Sequence, residues 1–320
     1  SQHESGALGG LWKRHHDAFC IFVESSGLKN FLEIGGGHGN LARLFTARNV
    51  DTKWIVVEPN LPSSFLKEAD SSSQIIPVQG WFDQNFKLPE GFAQVDAVIH
   101  SHTFEHIYHY DVFLESISRL KPKFQIFSVP FQKEWLRRGW QNSIMFEHPQ
   151  LLTPSAIEFL LQRHGYVLSE KVVFGDSHSL FYSFSRATDR EAKIPIPPAP
   201  SEFEENKDLF MSWLHSNSEF VRSINDKMEN HLNEHIFVFG AHIFTQYLNC
   251  LGLNSNKVVG ILDNAASKQG KRLYGLPQLV SSPEVLSGLQ RPAVILRVGA
   301  YASEIKKDIL EINPSVIFWE

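Results

Sequence analysis

Apolar positions along the chain switch repeatedly between helical and strand spacing. Leu11, Trp12, Ala18, Phe19, Ile21 and Phe22 predict a helix over 11–23. Short apolar runs then predict strands at 31–34, at 54–57 ending on Glu58, at 75–78, at 97–100 led by Asp96, and at 124–129 stopped by Pro130. Between them lie helices over 41–48 and 112–120, the second stopped by Pro122. This alternation predicts an α/β fold with a doubly wound Rossmann-like sheet. A helix over 154–165 follows, closed by Gly165. Lys171 to Phe174 and Ser179 to Ser185 bracket "GDSH" and predict an antiparallel hairpin on the sheet edge.

The pattern breaks between Ala187 and Asn206, where four prolines sit among charges and predict a stiff linker. Phe210, Trp213, Leu214, Phe220, Val221, Ile224, Met228 and Leu232 then recur at helical spacing, predicting an amphipathic helix over 205–232. "IFVFGAHIFTQYLNCLGL", "KVVGILDN", "AVILRVGAYASEIKKDIL" and "SVIFWE" repeat strand, turn and helix. They predict a second, smaller Rossmann-like α/β domain. The domains are thus an N-terminal segment and helix over 1–30 that could act as a lid, a large α/β domain over 31–186, a linker and long helix over 187–235, and a small domain over 236–320.

Composition narrows the picture. The net charge of −5 over 320 residues leaves no global basic footprint, so no nucleic-acid partner is expected, although 133–138 is locally basic. Two distant cysteines, Cys20 and Cys250, argue against a disulfide framework and a zinc–thiolate cluster. No stretch has the ~18 apolar residues of a membrane span, and no membrane partner is expected. With no signal-peptide pattern, the expected location is the cytoplasm. The chain starts at Ser1 and not at Met, which leaves room for residues upstream.

"FLEIGGGHGNLARLF", from Phe31 to Phe45, is the first stretch with evident chemistry. A strand entering a helix through glycines lets a ligand approach the backbone and meet unpaired N–H groups at the helix start. The spacing is not that of a full G-x-G-x-x-G motif, and the Lys-Ser/Thr of a P-loop is missing. Glu58 ends the next strand, where a carboxylate can accept from both ribose hydroxyls of an adenosine.

The E-x-G-G-G-x-G run, the acid ending strand two and "DAVIHSHTFEHI" together resemble a class I S-adenosylmethionine-dependent methyltransferase over about 11–186. The resemblance implies S-adenosylmethionine as cofactor. It places Glu33, Gly35, Gly37 and Gly39 around its methionine and ribose, Glu58 on the ribose, and "GWF" beside the adenine. Trp81 and Phe82 either flank the adenine or pack in the core, and Asp83 could reach the adenine amine. His38 either points to solvent or reaches the cofactor carboxylate or the substrate.

The C-terminal half and the opening "SQHESGALGGLWKRHHDAF" resemble sugar C-methyltransferases, which methylate a keto-sugar carried on a nucleotide. Many members carry a cysteine-rich zinc domain upstream; by its cysteines this chain is expected to be without it. The resemblance implies an acid/base element, Tyr-x-Glu-His, where this chain has "IMFEHPQLLTP". Glu147 and His148 match, Met145 stands at the tyrosine, and Leu151 stands at a further aromatic position. His148 with Glu147 is the first candidate for removing the acceptor proton, since a histidine titrates near neutrality.

His100, His102, His106 and His109 form a second set. His106 is a further catalytic candidate and His102 is counted with the cofactor residues. A metal there is not expected, with His100 packing at a strand end and the others lining the cleft mouth. His15 and His16 are expected on a solvated helix face. His3, in the possible lid, and His242, at a helix start of the small domain, are candidate substrate contacts. Asp263 could hold a second ribose, while Lys268, Lys271 and Arg272 either form a solvated loop or meet a substrate phosphate.

The expected activity is methyl transfer from S-adenosylmethionine to a carbon of a nucleotide-linked keto-sugar, by a monomer or homodimer. The alternatives are O- or N-methylation of another small metabolite, and a non-catalytic scaffold that keeps the cofactor.

Overall fold

The computed structural model describes residues 10–69, 74–140, 143, 145, 147–188, 194–230 and 235–320. They form two compact units, one within Gly6–Gln132 and Glu147–Ala199, the other within Lys133–Phe146 and Pro200–Glu320.

The first unit runs α1 (Gly10–Glu24), β1 (Asn30–Ile34), α2 (Asn40–Arg48), β2 (Lys53–Glu58), α3 (Ser63–Ala69), β3 (Ile75–Gln79), β4 (Ala97–Ser101), α4 (Tyr110–Leu120) and β5 (Phe124–Pro130). A short helix, α5 (Gln132–Arg137), leads out of it. The chain returns through α6 (Pro154–Arg163), β6 (Tyr166–Phe174) and β7 (Ser179–Arg186). The seven strands lie in the order β3-β2-β1-β4-β5-β7-β6. All neighbours are parallel except β7, which runs antiparallel to both β5 and β6.

Strands β1, β2 and β4 read as nearly continuous apolar runs, interrupted by buried Glu33 and His100, because both faces of the sheet are covered. One face packs Leu32, Val98 and Phe127 with Phe113 and Ile117 of α4 and Leu161 of α6. The other packs Phe31, Trp54 and Ile99 with Phe19 of α1 and Phe45 of α2. The edge hairpin is longer than expected, its first strand starting at Tyr166. Its exposed face breaks the apolar signal there.

His15 is not on a solvated face. It is fully buried, its ring edge-on to Phe174 and Phe181 at 5.2 Å each. The reason is in the spacing: Leu11, His15 and Phe19 are four residues apart and share the helix face that meets the sheet.

The second unit contains the segment 133–146, then α7 (Pro200–Asn230), β8 (Ile236–Phe239), α8 (Ile243–Cys250), β9 (Gly260–Leu262), β10 (Val280–Ser281), β11 (Ala293–Ile295), α9 (Ala302–Ile312) and β12 (Ile317–Trp319). Its sheet is parallel, in the order β10-β9-β8-β11-β12. α7 begins at Pro200, five residues before the predicted start. Proline suits a first helical turn, whose N–H has no intrahelical partner. Leu136 packs with Trp213, Val221 and Ile224, and Trp213 Nε1 donates to the Trp140 carbonyl at 3.0 Å. The basic run 133–138 is met by acids: Lys133 and Arg137 both pair with Glu205, and Arg138 pairs with Glu134.

The buried histidines make the first unit acid-sensitive. His100 lies in the core, stacked on Phe127 at 4.5 Å, and neither ring nitrogen has a partner among the described residues. Burial pulls its pKa down to about 3, and burial lowers His178 to about 3 and His148 to about 4. Each holds its stabilising contribution above the free value of 6.5 and loses it as pH falls toward its folded value. Glu33 and Glu105 are raised by burial to about 7, so they act oppositely: their contribution is full below 4.5 and is lost as pH rises through about 7. With His15 and His16 also lowered, the histidines outnumber the two acids. The thermal midpoint is therefore expected to fall between pH 7 and 4.5, and His100→Phe to raise the midpoint and flatten that fall. An unchanged pH profile in the variant, read by scanning calorimetry, would contradict the assignment.

Candidate active site

The glycine loop joins β1 to α2 at the carboxyl end of the sheet. Gly35, Gly37 and Gly39 have φ of 74°, 52° and 70°, in the left-handed region that side chains avoid. Their surroundings differ. A Cβ on Gly35 would lie 2.6 Å from Thr103 Oγ1, and one on Gly39 would lie 2.2 Å from the Phe65 ring. A Cβ on Gly37 would meet nothing within 4 Å. Gly35 and Gly39 thus let the loop pack against the protein, while Gly37 borders open space. Beside it, Glu58 at the end of β2 accepts from Gly37 N at 3.3 Å and from Asn60 N at 3.0 Å. α2 starts at this point with no side-chain cap on its first N–H groups.

Glu33 lies beneath the loop. It is buried and accepts from Trp54 Nε1 at 2.7 Å, with Gly36 seated over it. The indole of β2 thus engages one oxygen of its carboxylate. His38 is half-buried, and its carbonyl accepts from Arg43 at 2.7 Å. Trp81 is 77% exposed after β3, whereas Phe82 packs on Phe86 and Phe113 at the edge of the core. The two aromatics of "GWF" thus part company. Asp83 accepts from Asn85 N at 2.7 Å and shapes a turn.

β4 and β5 carry the remaining groups. Ser101 and Ser128 hydroxyls meet at 2.8 Å, and Thr103 Oγ1 donates to the Ile34 carbonyl at 3.3 Å, tying the ends of β1, β4 and β5 together. His102 has φ of 49° and leaves the strand, so it does not share a face with buried His100. Its Nδ1 lies 3.2 Å from Glu105 Oε1, and its Nε2 lies 2.9 Å from Ser179 Oγ. His178 Nδ1 meets the same hydroxyl at 2.8 Å. Trp12 of α1 packs edge-on to His102 at 4.8 Å.

Phe104–His106 forms one 3-10 turn, which sets Glu105 inward and His106 toward His148. The two rings meet edge-on at 4.8 Å between centroids. His106 Nδ1 lies 3.0 Å from the Glu147 carbonyl. His148 Nδ1 lies 3.1 Å from Gln132 Nε2, and Gln132 Oε1 accepts from Leu152 N at 2.8 Å. Glu105, His106 and His148 each bring one ligand-type atom within 4.8 Å of the other two. The structure thus brings together His106 and His148, which belong to separate candidate sets in the sequence. The carboxylate grouped with them is Glu105, not that of Glu147, whose backbone carbonyl makes the contact. Glu105 and Gln132 are the two residues that sequence reasoning omitted from the site. Glu105 lies in "DAVIHSHTFEHI"; nothing in the sequence marks Gln132.

In the second unit, His242 caps α8, its Nδ1 accepting from Phe244 N at 3.1 Å, and burial pushes its pKa down to about 4. Its Nδ1 is thus engaged locally, as the cap of the helix. Asp263 accepts from Ala241 N at 2.8 Å and from Ala265 N at 2.9 Å, and pairs with Lys268 at 3.0 Å. These partners occupy the carboxylate expected to hold a ribose and the lysine expected in a solvated loop. His3 lies outside the described residues.

A family model described as "Methyltransferase domain" matches residues 18–171. No curated protein matches the chain in sequence. Among solved structures, the methyltransferase domain of bacterial CtHen1-C is similar at 15% identity and a TM-score of 0.46, covering 56% of this chain and 100% of that one. A putative sarcosine dimethylglycine methyltransferase from Galdieria sulphuraria is similar at 12% identity and a TM-score of 0.45, covering 57% and 87%. Magnesium protoporphyrin IX methyltransferase from Synechocystis PCC 6803, crystallised with S-adenosylhomocysteine, is similar at 11% identity and a TM-score of 0.44, covering 58% and 91%. The matched residues 18–171 hold the glycine loop, Glu58 and the Glu105–His106–His148 group, and their match to a methyltransferase domain supports S-adenosylmethionine as the cofactor.

Proposed function

We propose that the protein methylates a carbon next to a carbonyl in a small molecule, a nucleotide-linked keto-sugar being the acceptor class. The observation that carries this reading is the pairing of two imidazoles, His106 and His148, with a buried carboxylate, Glu105. Carbon methylation needs a proton removed and an oxyanion stabilised, so it asks for two polar groups on one substrate.

S-adenosylmethionine supplies a methyl group already activated by its sulfonium. The chain contributes position and proton handling. Gly37 leaves room for the ribose and methionine, and Glu58 accepts from the ribose hydroxyls. Trp81, exposed beside the site, covers the adenine. His102 and His38 border the methionine and substrate side. His106 and His148 face the acceptor, with Glu105 setting the charge around them.

Hydroxyl methylation is the second reading. Met145, where the resemblance implies tyrosine, favours it, because a hydroxyl acceptor needs only one base. Solvent deuterium exchange separates the two. A panel of nucleotide-linked keto-sugars is incubated in D2O with the protein and S-adenosylhomocysteine. Carbon methylation predicts exchange at one carbon beside the carbonyl. Methyl transfer with S-adenosylmethionine but no exchange would favour the hydroxyl reading.

A further inference from the structure

The hydrogen bonds around the two imidazoles fix which nitrogen of each carries the proton. The Leu152 N–H can be accepted only by an oxygen, and Gln132 Oε1 accepts it at 2.8 Å. The Gln132 amide is therefore oriented, and its NH2 faces His148 Nδ1 at 3.1 Å. An NH2 only donates, so Nδ1 of His148 must be bare and its proton sits on Nε2. His106 is the reverse. Its Nδ1 faces the Glu147 carbonyl at 3.0 Å, which only accepts, so Nδ1 carries the proton and Nε2 is bare.

We propose that Gln132 is a positioning residue that holds His148 as an N–H donor beside His106 as the base, so that one ring takes the acceptor's proton while the other stabilises the oxyanion. The tautomers stand on the hydrogen bonds alone; the roles rest on the proposed carbon methylation. The acceptor's C–H proton passes to Nε2 of His106, leaving an imidazolium. The electron pair moves toward the carbonyl oxygen, which accepts from Nε2–H of His148. As that pair returns, the carbon forms its bond to the methyl group and the methyl–sulfur bond breaks with its electrons left on sulfur. His106 then returns its proton to solvent.

This order reverses the expectation that His148 is the base. His148 is neutral near pH 7 because burial lowers its pKa to about 4. The titratable groups around it are Glu105, His106, His102 and Glu147. Gln132 is itself 1% exposed, which keeps water from competing for Nδ1.

The test is 15N NMR of the imidazole nitrogens in histidine-labelled full-length protein with S-adenosylhomocysteine, the two rings assigned through His106→Gln and His148→Gln. The expected result is a proton on Nε2 of His148 and on Nδ1 of His106. A proton on Nδ1 of His148 would overturn the proposal, and no acceptor is needed to see it. Gln132→Glu offers a carboxylate that accepts from both Leu152 and His148, so the His148 proton is expected to move to Nδ1. With it, turnover of the keto-sugar panel is expected to fall about 10²-fold, at unchanged S-adenosylhomocysteine affinity. A moved proton with unchanged turnover would overturn the role of Gln132. A cation ligated through Nε2 of His148 would need that nitrogen bare, so turnover lost with EDTA and restored by Mg2+ or Zn2+ would also overturn the proposal. Failure of the carbon-methylation reading shows as absent deuterium exchange and leaves the ring spectra to decide the tautomers.

Discussion

Alanine at His106 is expected to lower turnover by about 10²–10⁴-fold, the usual range for a lost general base, while leaving S-adenosylhomocysteine affinity unchanged. Glu147 contributes its backbone carbonyl, and that acceptor keeps the bare nitrogen of His106 on the opposite edge of the ring. His148, edge-on at 4.8 Å, has its bare nitrogen covered by Gln132. Deuterium exchange at the acceptor carbon is therefore expected to vanish in His106→Ala. In His148→Ala it is expected to slow by about 10²–10³-fold, the cost of one oxyanion donor. Exchange kept in His106→Ala and lost entirely in His148→Ala would reverse the two roles.

The second large effect is on folding. Gly39→Ala is expected to destabilise the first unit by about 2–5 kcal/mol, combining left-handed backbone strain with overpacking. Its new Cβ would lie 2.2 Å from the ring of Phe65, which is 1% exposed and lies under Arg43. A ring so enclosed has little room to retreat. Gly37→Ala carries the same kind of strain at φ 52° but meets nothing within 4 Å, so only about 1–2 kcal/mol is expected. Chemical denaturation of the two variants side by side measures the difference. Equal losses would mean that the Phe65 contact is relieved at no cost.

Much of this fold was legible because parallel sheets covered on both faces write themselves as apolar runs. The strands at Phe31, Trp54, Ala97 and Phe124 all lie where those runs predict them. The cofactor loop was legible for a related reason: left-handed turns demand glycine, and the unpaired N–H groups of a helix start demand a neighbouring acceptor. What stayed hidden depends on tertiary contact. Six residues of α5 are too few to show a period, so the attachment of 133–146 to the second unit left no trace. His15 looks polar in the sequence, yet its four-residue spacing from Leu11 and Phe19 turns it inward. Gln132 was invisible because its meaning lies in Leu152 and His148, brought to it only by the return of the chain after the excursion. Glu105, a carboxylate between a phenylalanine and a histidine, reads as polar, yet one turn of 3-10 helix buries it.

Titration calorimetry with S-adenosylhomocysteine tests the central claim most directly, using the wild-type chain and Gly37→Ala. The account predicts one site per chain in the wild type and a loss of at least about tenfold in affinity in the variant, since the added methyl enters the open space beside Glu58. No binding by the wild type, or equal affinity in the two proteins, would contradict it.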